Sequence, residues 1–220
     1  MKKLFLTLAT LAAVTNGFAQ GTIFFNNFVP GVVETRVYIG DYFVQRTGNT
    51  STQTPTGTQD YTSFPLVTGS GFTAQLWSLP GNAIPPGVVT PYGVIDGSLE
   101  AANPTTTFRA GSAAGVVAAT MVTLANVPAD AANAVIQMRV FETSYGSWAA
   151  AVAAYNGSGS SILGASPMFV VSNIGGIVNT PPNLVGLTSF SLLGPEPSSM
   201  TLAGLGAVTM LLFRRKRGKR

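Results

Sequence analysis

The sequence predicts an all-β fold: a β-sandwich of about eight or nine strands with one short helix, preceded by an N-terminal signal helix and followed by a single C-terminal transmembrane helix. Three observations carry this. Apolar and polar residues alternate with a period of two through much of residues 20–193, as they do in strands with one buried face. Clusters of Gly, Pro and Asn punctuate these runs at short intervals, at Pro30-Gly31, Pro80-Gly81-Asn82, Pro85-Pro86-Gly87, Asn156-Gly157 and Pro181-Pro182-Asn183. That spacing suits a sandwich better than βαβ units. Continuous apolar runs stand at the two ends, Leu4–Val14 and Met200–Phe213. The chain therefore divides into a signal peptide (1–19), a β-sandwich domain (20–193) and a tail (194–220).

Within the body, Thr22-Ile23-Phe24-Phe25 opens the strand pattern, and Thr35–Ile39 follows with Val37 and Ile39 on one face. Thr47–Gly71 is the longest polar stretch and reads as a mobile surface loop or a long hairpin. In Thr73–Ser78, Ala74, Leu76 and Ser78 oppose Gln75 and Trp77. Thr105–Arg109 and Val116–Leu124 come next. The clearest alternation is Val135–Glu142, with Ile136, Met138 and Val140 on one face and Gln137, Arg139 and Phe141 on the other. Pro167–Val171 and Leu187–Leu193 complete the set, the last running straight into the tail. Between them, Ser147–Tyr155 is Ala-rich and carries Trp148, Val152 and Tyr155 at helical spacing. Ser147 can cap this helix and Gly157 can end it. Its expected role is to pack Trp148 on the sandwich edge; the alternative is an exposed Trp148–Tyr155 platform for stacking sugars.

Charge is scarce, at 9% of residues against roughly 25% in a typical soluble domain. The net charge of +4 belongs to the ends. Within the body, residues 20–193, the cations are Arg36, Arg46, Arg109 and Arg139, facing seven carboxylates: Glu34, Asp41, Asp60, Asp96, Glu100, Asp130 and Glu142. A body with more acid than base offers no clustered cations for phosphate, so nucleic acid is excluded as a partner. Cys and His are both absent. No disulfide can form, and thiolate nucleophiles, imidazole bases and the usual zinc ligands are missing together.

The remaining chemistry is thin. Gly164-Ala165-Ser166-Pro167-Met168 lacks the second Gly of a nucleophile elbow, and no Lys lies between Lys3 and Lys216 to serve a Ser-Lys dyad. Asp96, Glu100 and Glu142 are the carboxylates to weigh for glycoside hydrolysis, but Asp96-Gly97 is turn chemistry, in which an Asp usually bonds its own backbone. Oxygen-rich loops at Asp96 or Asp130 could hold calcium, without the spacing of a calcium loop. The expectation is a body with no catalytic residue, no metal and no cofactor.

The ends are more informative. Met1-Lys2-Lys3 precedes the apolar run, and Gly17-Phe18-Ala19 supplies a small-x-small site, so cleavage is expected after Ala19. This implies the secretion translocon as a partner. At the other end Pro195-Glu196-Pro197 precedes Met200–Phe213 and the cluster Arg214, Arg215, Lys216, Arg217, Lys219, Arg220. With its two flanking serines the apolar run reaches about 24 Å as a helix, short of a hydrocarbon core of about 30 Å. The basic residues settle the reading, because long cationic side chains snorkel to the headgroups and stay in the cytoplasm.

These residues resemble the PEP-CTERM sorting tails of Gram-negative and related bacteria, which combine a Pro-Glu-Pro signature, one membrane helix and an Arg-rich end. The resemblance implies that an exosortase-like membrane protease or transpeptidase recognises Pro195, Glu196 and Pro197, cleaves nearby and releases or transfers the protein. It also implies an association with exopolysaccharide and biofilm matrix. The body resembles, more loosely, small β-rich proteins that carry this tail in planctomycete- and verrucomicrobium-like bacteria. The matching features are Gly21–Asn27, Ala74-Gln75-Leu76-Trp77, Gln137–Phe141 and the approach from Leu184 to Leu193. The expected localisation is export across the inner membrane with a transient single-pass anchor, then the envelope surface or the exterior. The expected role is that of a displayed surface or matrix protein, with a carbohydrate-binding module for exopolysaccharide as the alternative and a polysaccharide hydrolase as a third class.

Overall fold

The computed structural model describes residues 19–40 and 45–194. The signal helix, the transmembrane helix, the Pro195–Pro197 signature and the basic cluster lie outside them. The strands, in chain order, are β1 (Gln20–Phe25), β2 (Phe28–Val29), β3 (Val33–Glu34), β4 (Val37–Ile39), β5 (Phe72–Pro80), β6 (Val88–Thr90), β7 (Gly93–Ile95), β8 (Glu100–Ala101), β9 (Thr106–Thr107), β10 (Thr120–Pro128), β11 (Asn133–Glu142), β12 (Leu163–Ala165), β13 (Phe169–Ser172) and β14 (Phe190–Leu192). Helix α1 (Trp148–Ser158) separates β11 from β12. The all-β class stands. The strands are more numerous than expected, because many are two- or three-residue pairings too short to show a period of two.

Strand β11 is the spine. One edge pairs antiparallel with β5 from Ala134↔Pro80 to Glu142↔Phe72. The other edge takes β13 and then β12. The far edge of β5 takes β8 and β9. A second layer is the antiparallel ribbon β1–β10, in register from Gly21↔Leu124 to Phe25↔Thr120. Its Ile23, Phe25, Val122 and Leu124 meet Ala74, Leu76, Ile136, Met138 and Val140 in one fully buried cluster. Each such aliphatic burial contributes about 1.5–3 kcal/mol. The inward set is the one the alternation in β5 and β11 implies.

The strand expected at Val116–Leu124 starts later, at Thr120. Asn27 explains the shift: its Oδ1 accepts from Val117 N at 2.9 Å, while its Nδ2 donates to the carbonyls of Thr35 and Gly115, both at 3.0 Å. A buried side chain has taken the bond that a ladder would have used.

The outward face of β11 departs most from expectation. Gln137, Arg139 and Phe141 are 0%, 3% and 2% exposed. The β6–β7 hairpin and α1 cover them, forming a second cluster of Tyr92, Phe141, Trp148, Ala151, Leu163, Ala165 and Leu193. Arg139 lies with its guanidinium carbon 4.0 Å from the Trp77 ring centre and 5.5 Å from that of Trp148. Its Nε donates to Gln137 Oε1 at 2.8 Å and its Nη2 to the Asp96 carbonyl at 3.1 Å. Burial pushes its pKa down to about 10, which leaves it charged at neutral pH.

Ser147 caps α1 as expected, its Oγ accepting from Ala150 N at 3.2 Å. The helix ends later than the sequence suggests. Gly157 is helical, and Gly159, at φ 64°, supplies the left-handed turn whose N–H donates to the Tyr155 carbonyl.

Replacing Arg139 by Ala should destabilise the body by about 2–4 kcal/mol, since two indole faces lose their cation, and the buried Gln137 Oε1 and the half-buried Asp96 carbonyl lose a donor. Arg139→Lys should recover only part of this, because an ammonium cannot reproduce the planar fork. Urea unfolding of the three forms measures both.

Candidate functional site

The site is built around β14, the strand that leads into the tail. It pairs parallel with β4, Phe190↔Val37 through Leu192↔Ile39. Leu193 exchanges both backbone bonds with Leu163, at 2.8 and 3.2 Å. Ser191 N donates to the Arg46 carbonyl at 2.9 Å, and Gly40 N to the Leu192 carbonyl at 2.9 Å. Ser189, Phe190, Ser191, Leu192 and Leu193 are buried, as is Gly194. Backbones approach this strand closely. A Cβ on Gly40 would lie 2.8 Å from the Leu192 carbonyl oxygen, and one on Gly164 would lie 3.0 Å from that of Ser191.

Ser189 is the hub. Its N–H donates to Asn49 Oδ1 at 2.7 Å and its Oγ to Gln53 Oε1 at 2.8 Å. The same Oγ accepts from Arg36 N at 2.9 Å, and the Ser189 carbonyl accepts from Gly48 N and the Tyr61 hydroxyl. The Thr47–Gly71 stretch is therefore not a free surface loop. Asn49, Gln53, Tyr61 and Val67 are buried, and its amides complete the hydrogen bonds of a buried strand. Composition alone signals loop here, because the partners lie about 130 residues away in sequence.

Beside this hub opens a cleft of about 640 Å³ whose lining includes Phe28, Arg36, Tyr38, Gln53, Gln59 and Tyr61. Tyr38 and Tyr61 stack at 4.1 Å and 3°. Burial raises the pKa of both phenols, so they stay protonated at neutral pH. Arg36 sits 5.2 Å from the Phe28 ring centre and donates to the Ala114 carbonyl. Glu34 accepts from Gly31 N at 2.8 Å and from Thr54 Oγ1 at 3.1 Å, and Asp60 accepts from Thr62 N at 2.8 Å. The cleft is rich in hydroxyls and amides, while its carboxylates serve the backbone.

Comparison with known proteins bears on the segment beyond β14. Residues 195–217 match the family model of the PEP-CTERM protein-sorting motif. The chain carries a PEP-CTERM sorting motif. The motif implies a sorted protein exported to the cell envelope and exosortase-type processing. No curated protein and no solved structure matches the chain.

The PEP-CTERM match takes in Pro195, Glu196, Pro197, Arg214, Arg215, Lys216 and Arg217, and stops short of Lys219 and Arg220. It starts one residue past the buried Gly194. Among the described residues no helix is long and apolar enough to cross a membrane; the run expected to do so lies in the motif. At the other end, Ala19 is exposed and its carbonyl accepts from Ala129 N at 2.7 Å, directly before β1.

Of the three carboxylates that the sequence offers for hydrolysis, Asp96 and Glu142 accept from backbone N–H groups. Asp96 Oδ1 accepts from Ser98 N at 2.8 Å and from the Ser98 hydroxyl, which holds its carboxyl below the usual range. Glu142 Oε2 accepts from Ile162 N at 2.9 Å, and Glu100 stands exposed in β8 opposite Ser78. Among the described residues no group of three or more acidic side chains gathers to hold a metal. Trp148 is 6% exposed and packs edge-on against Tyr92 and Phe141, so the Trp148–Tyr155 sugar platform is not formed.

Asp130, in the left-handed region at φ 58°, does something the sequence does not announce. Its carboxylate accepts from the N–H groups of Ile177, Val178 and Asn179 at 2.9, 3.0 and 2.7 Å, and so shapes a distant loop. The Asn179 bond does most to hold its pKa below the ordinary 3.8, against some desolvation. A lowered folded value means that the stabilisation is complete above the unfolded value and is lost as pH falls through the folded one. The amide resonances of Ile177, Val178 and Asn179 should therefore shift together below about pH 4 in NMR spectra, and Asp130→Asn should abolish that titration.

Proposed function

We propose that this chain is an exported cell-surface or extracellular-matrix protein, displayed or released once an exosortase-like membrane protease or transpeptidase has processed its tail, and that it works without catalysis. The observation that carries the reading is the sorting motif at residues 195–217, set directly after the strand that closes the body. Three further features support it. The apolar run Met200–Phe213 ends in six basic residues that act as a cytoplasmic stop. The carboxylates in and around the cleft are engaged with backbone and hydroxyl donors. The N-terminal Lys pair, apolar run and Ala19 site fit passage through the secretion translocon.

Deleting Arg214–Arg220 should impair membrane retention and processing several-fold, because the positive stop is lost. Cell fractionation and immunoblotting read this out, and unchanged fractionation would remove the role given to those charges. Material released by the intact chain should end near Pro195 by intact mass; released protein that still contains Arg220 would overturn the processing reading.

A second reading, a carbohydrate-binding module for exopolysaccharide, is favoured by the Phe28–Tyr61 cleft, where an aromatic edge, a guanidinium and amides such as that of Gln59 line one polar groove. Under it, residues 20–194 bind a polysaccharide saturably, and Phe28→Ala weakens that binding at least fivefold in calorimetric titration. Saturable binding that depends on Phe28 moves the conclusion to this reading, and its absence leaves the displayed, non-catalytic protein.

A further inference from the structure

A processing protease takes its substrate as an extended chain, with the backbone N–H and C=O groups flanking the scissile bond free to pair with the enzyme. In this body those groups are already engaged through Leu193, two residues short of the motif. Ser189, Ser191, Leu192 and Leu193 have backbone partners on β4, β12 or the 46–49 segment. Their side chains are buried, and glycines at Gly40 and Gly164 allow the flanking backbones to close on the strand. Gly194 alone separates Leu193 from Pro195, and it too is buried. No free length of chain lies between the closed body and the motif.

We propose that β14 is a lock on processing: it withholds every residue up to Gly194 from the enzyme, confines the scissile bond to the C-terminal side of Gly194, and sets the rate of cleavage by how often Leu193 lifts from Leu163. The inference rests on the exosortase-type processing proposed above. In the step itself the carbonyl carbon of the cleaved peptide is attacked and the C–N bond breaks. The tail leaves as an amine that has gained a proton. The acyl part passes to water, giving a carboxylate, or to an acceptor amine, giving an amide. The outermost restraint is the two-bond exchange between Leu193 and Leu163. Every restraint further in is backed by the Ser189 hub, so fraying stops there. The released chain then keeps all of β14 and remains folded, which a displayed protein requires.

The test is a six-residue Gly-Ser spacer inserted between Gly194 and Pro195 of the full chain, expressed in the native host and followed by pulse-chase. Six extended residues add up to about 20 Å of free chain, so the spacer should shorten the processing half-time at least threefold. The released spacer form should be heavier than the natural one by the mass of the six residues. Equal half-times would sink the lock, and so would a released chain ending before Gly194; both outcomes leave processing itself standing. Retention of the full tail on both forms would overturn the processing reading and this inference with it. As an enzyme-independent check, limited proteolysis of the detergent-solubilised full chain should cut at residue 195 or beyond and spare residues 187–194; early cuts inside that segment would also overturn the lock.

Discussion

Burying a strand whose inward residues include serines is the constraint around which this body is organised. Every N–H, C=O and hydroxyl of β14 has to find a partner once water is excluded, because an orphaned polar group costs about 1–3 kcal/mol. Asn49, Gln53, Arg36 N, Gly48 and Tyr61 meet that demand at Ser189, and the Arg46 backbone meets it at Ser191. Because the partners come from a long polar excursion, Asn49, Gln53 and Tyr61 of that excursion turn inward while most of it stays exposed. The same logic recurs at Asn27, whose amide ties three segments together. In a chain without Cys, such satisfied buried amides hold irregular backbone where a disulfide would otherwise do so.

The second consequence is a body covered on more faces than a plain sandwich. One face of β11 meets the β1–β10 ribbon, and the other is roofed by α1 and the β6–β7 hairpin. With little surface charge to mark outside from inside, the outward positions of β11 are free to take Phe141, Gln137 and Arg139. Arg139 is the one charged side chain among the buried described residues. It is tolerated because two indole faces and two neutral oxygens replace its hydration. Order at the surface is achieved in the same way at Asp130, which fixes the backbone of a loop that exposes Ile177 and Val178.

These two properties bear on display. A body whose last strand lies inside it cannot lose that strand and stay folded, so whatever removes the tail has to act beyond it. The aromatic cluster that sequence spacing offered as a sugar platform is a piece of this roof, and the polar cleft beside the hub is lined by other residues, among them Phe28, Arg36 and Tyr61.

The sequence by itself determined the class of fold, the inward faces of β5 and β11, the Ser147 cap and the sorting tail, because each depends on a local pattern: a period of two, a capping hydroxyl, or three contiguous blocks of distinct chemistry. Tertiary structure alone decided the rest. That Asn49, Gln53 and Tyr61 of the Thr47–Gly71 stretch turn inward, that Arg139 lies over two tryptophan rings, that Asn27 delays β10, and that β14 is locked by Ser189 all rest on partners far apart in the chain. A hydrogen bond across that separation leaves no periodic trace, and an Asn in a buried network has the same letter as an Asn in a turn.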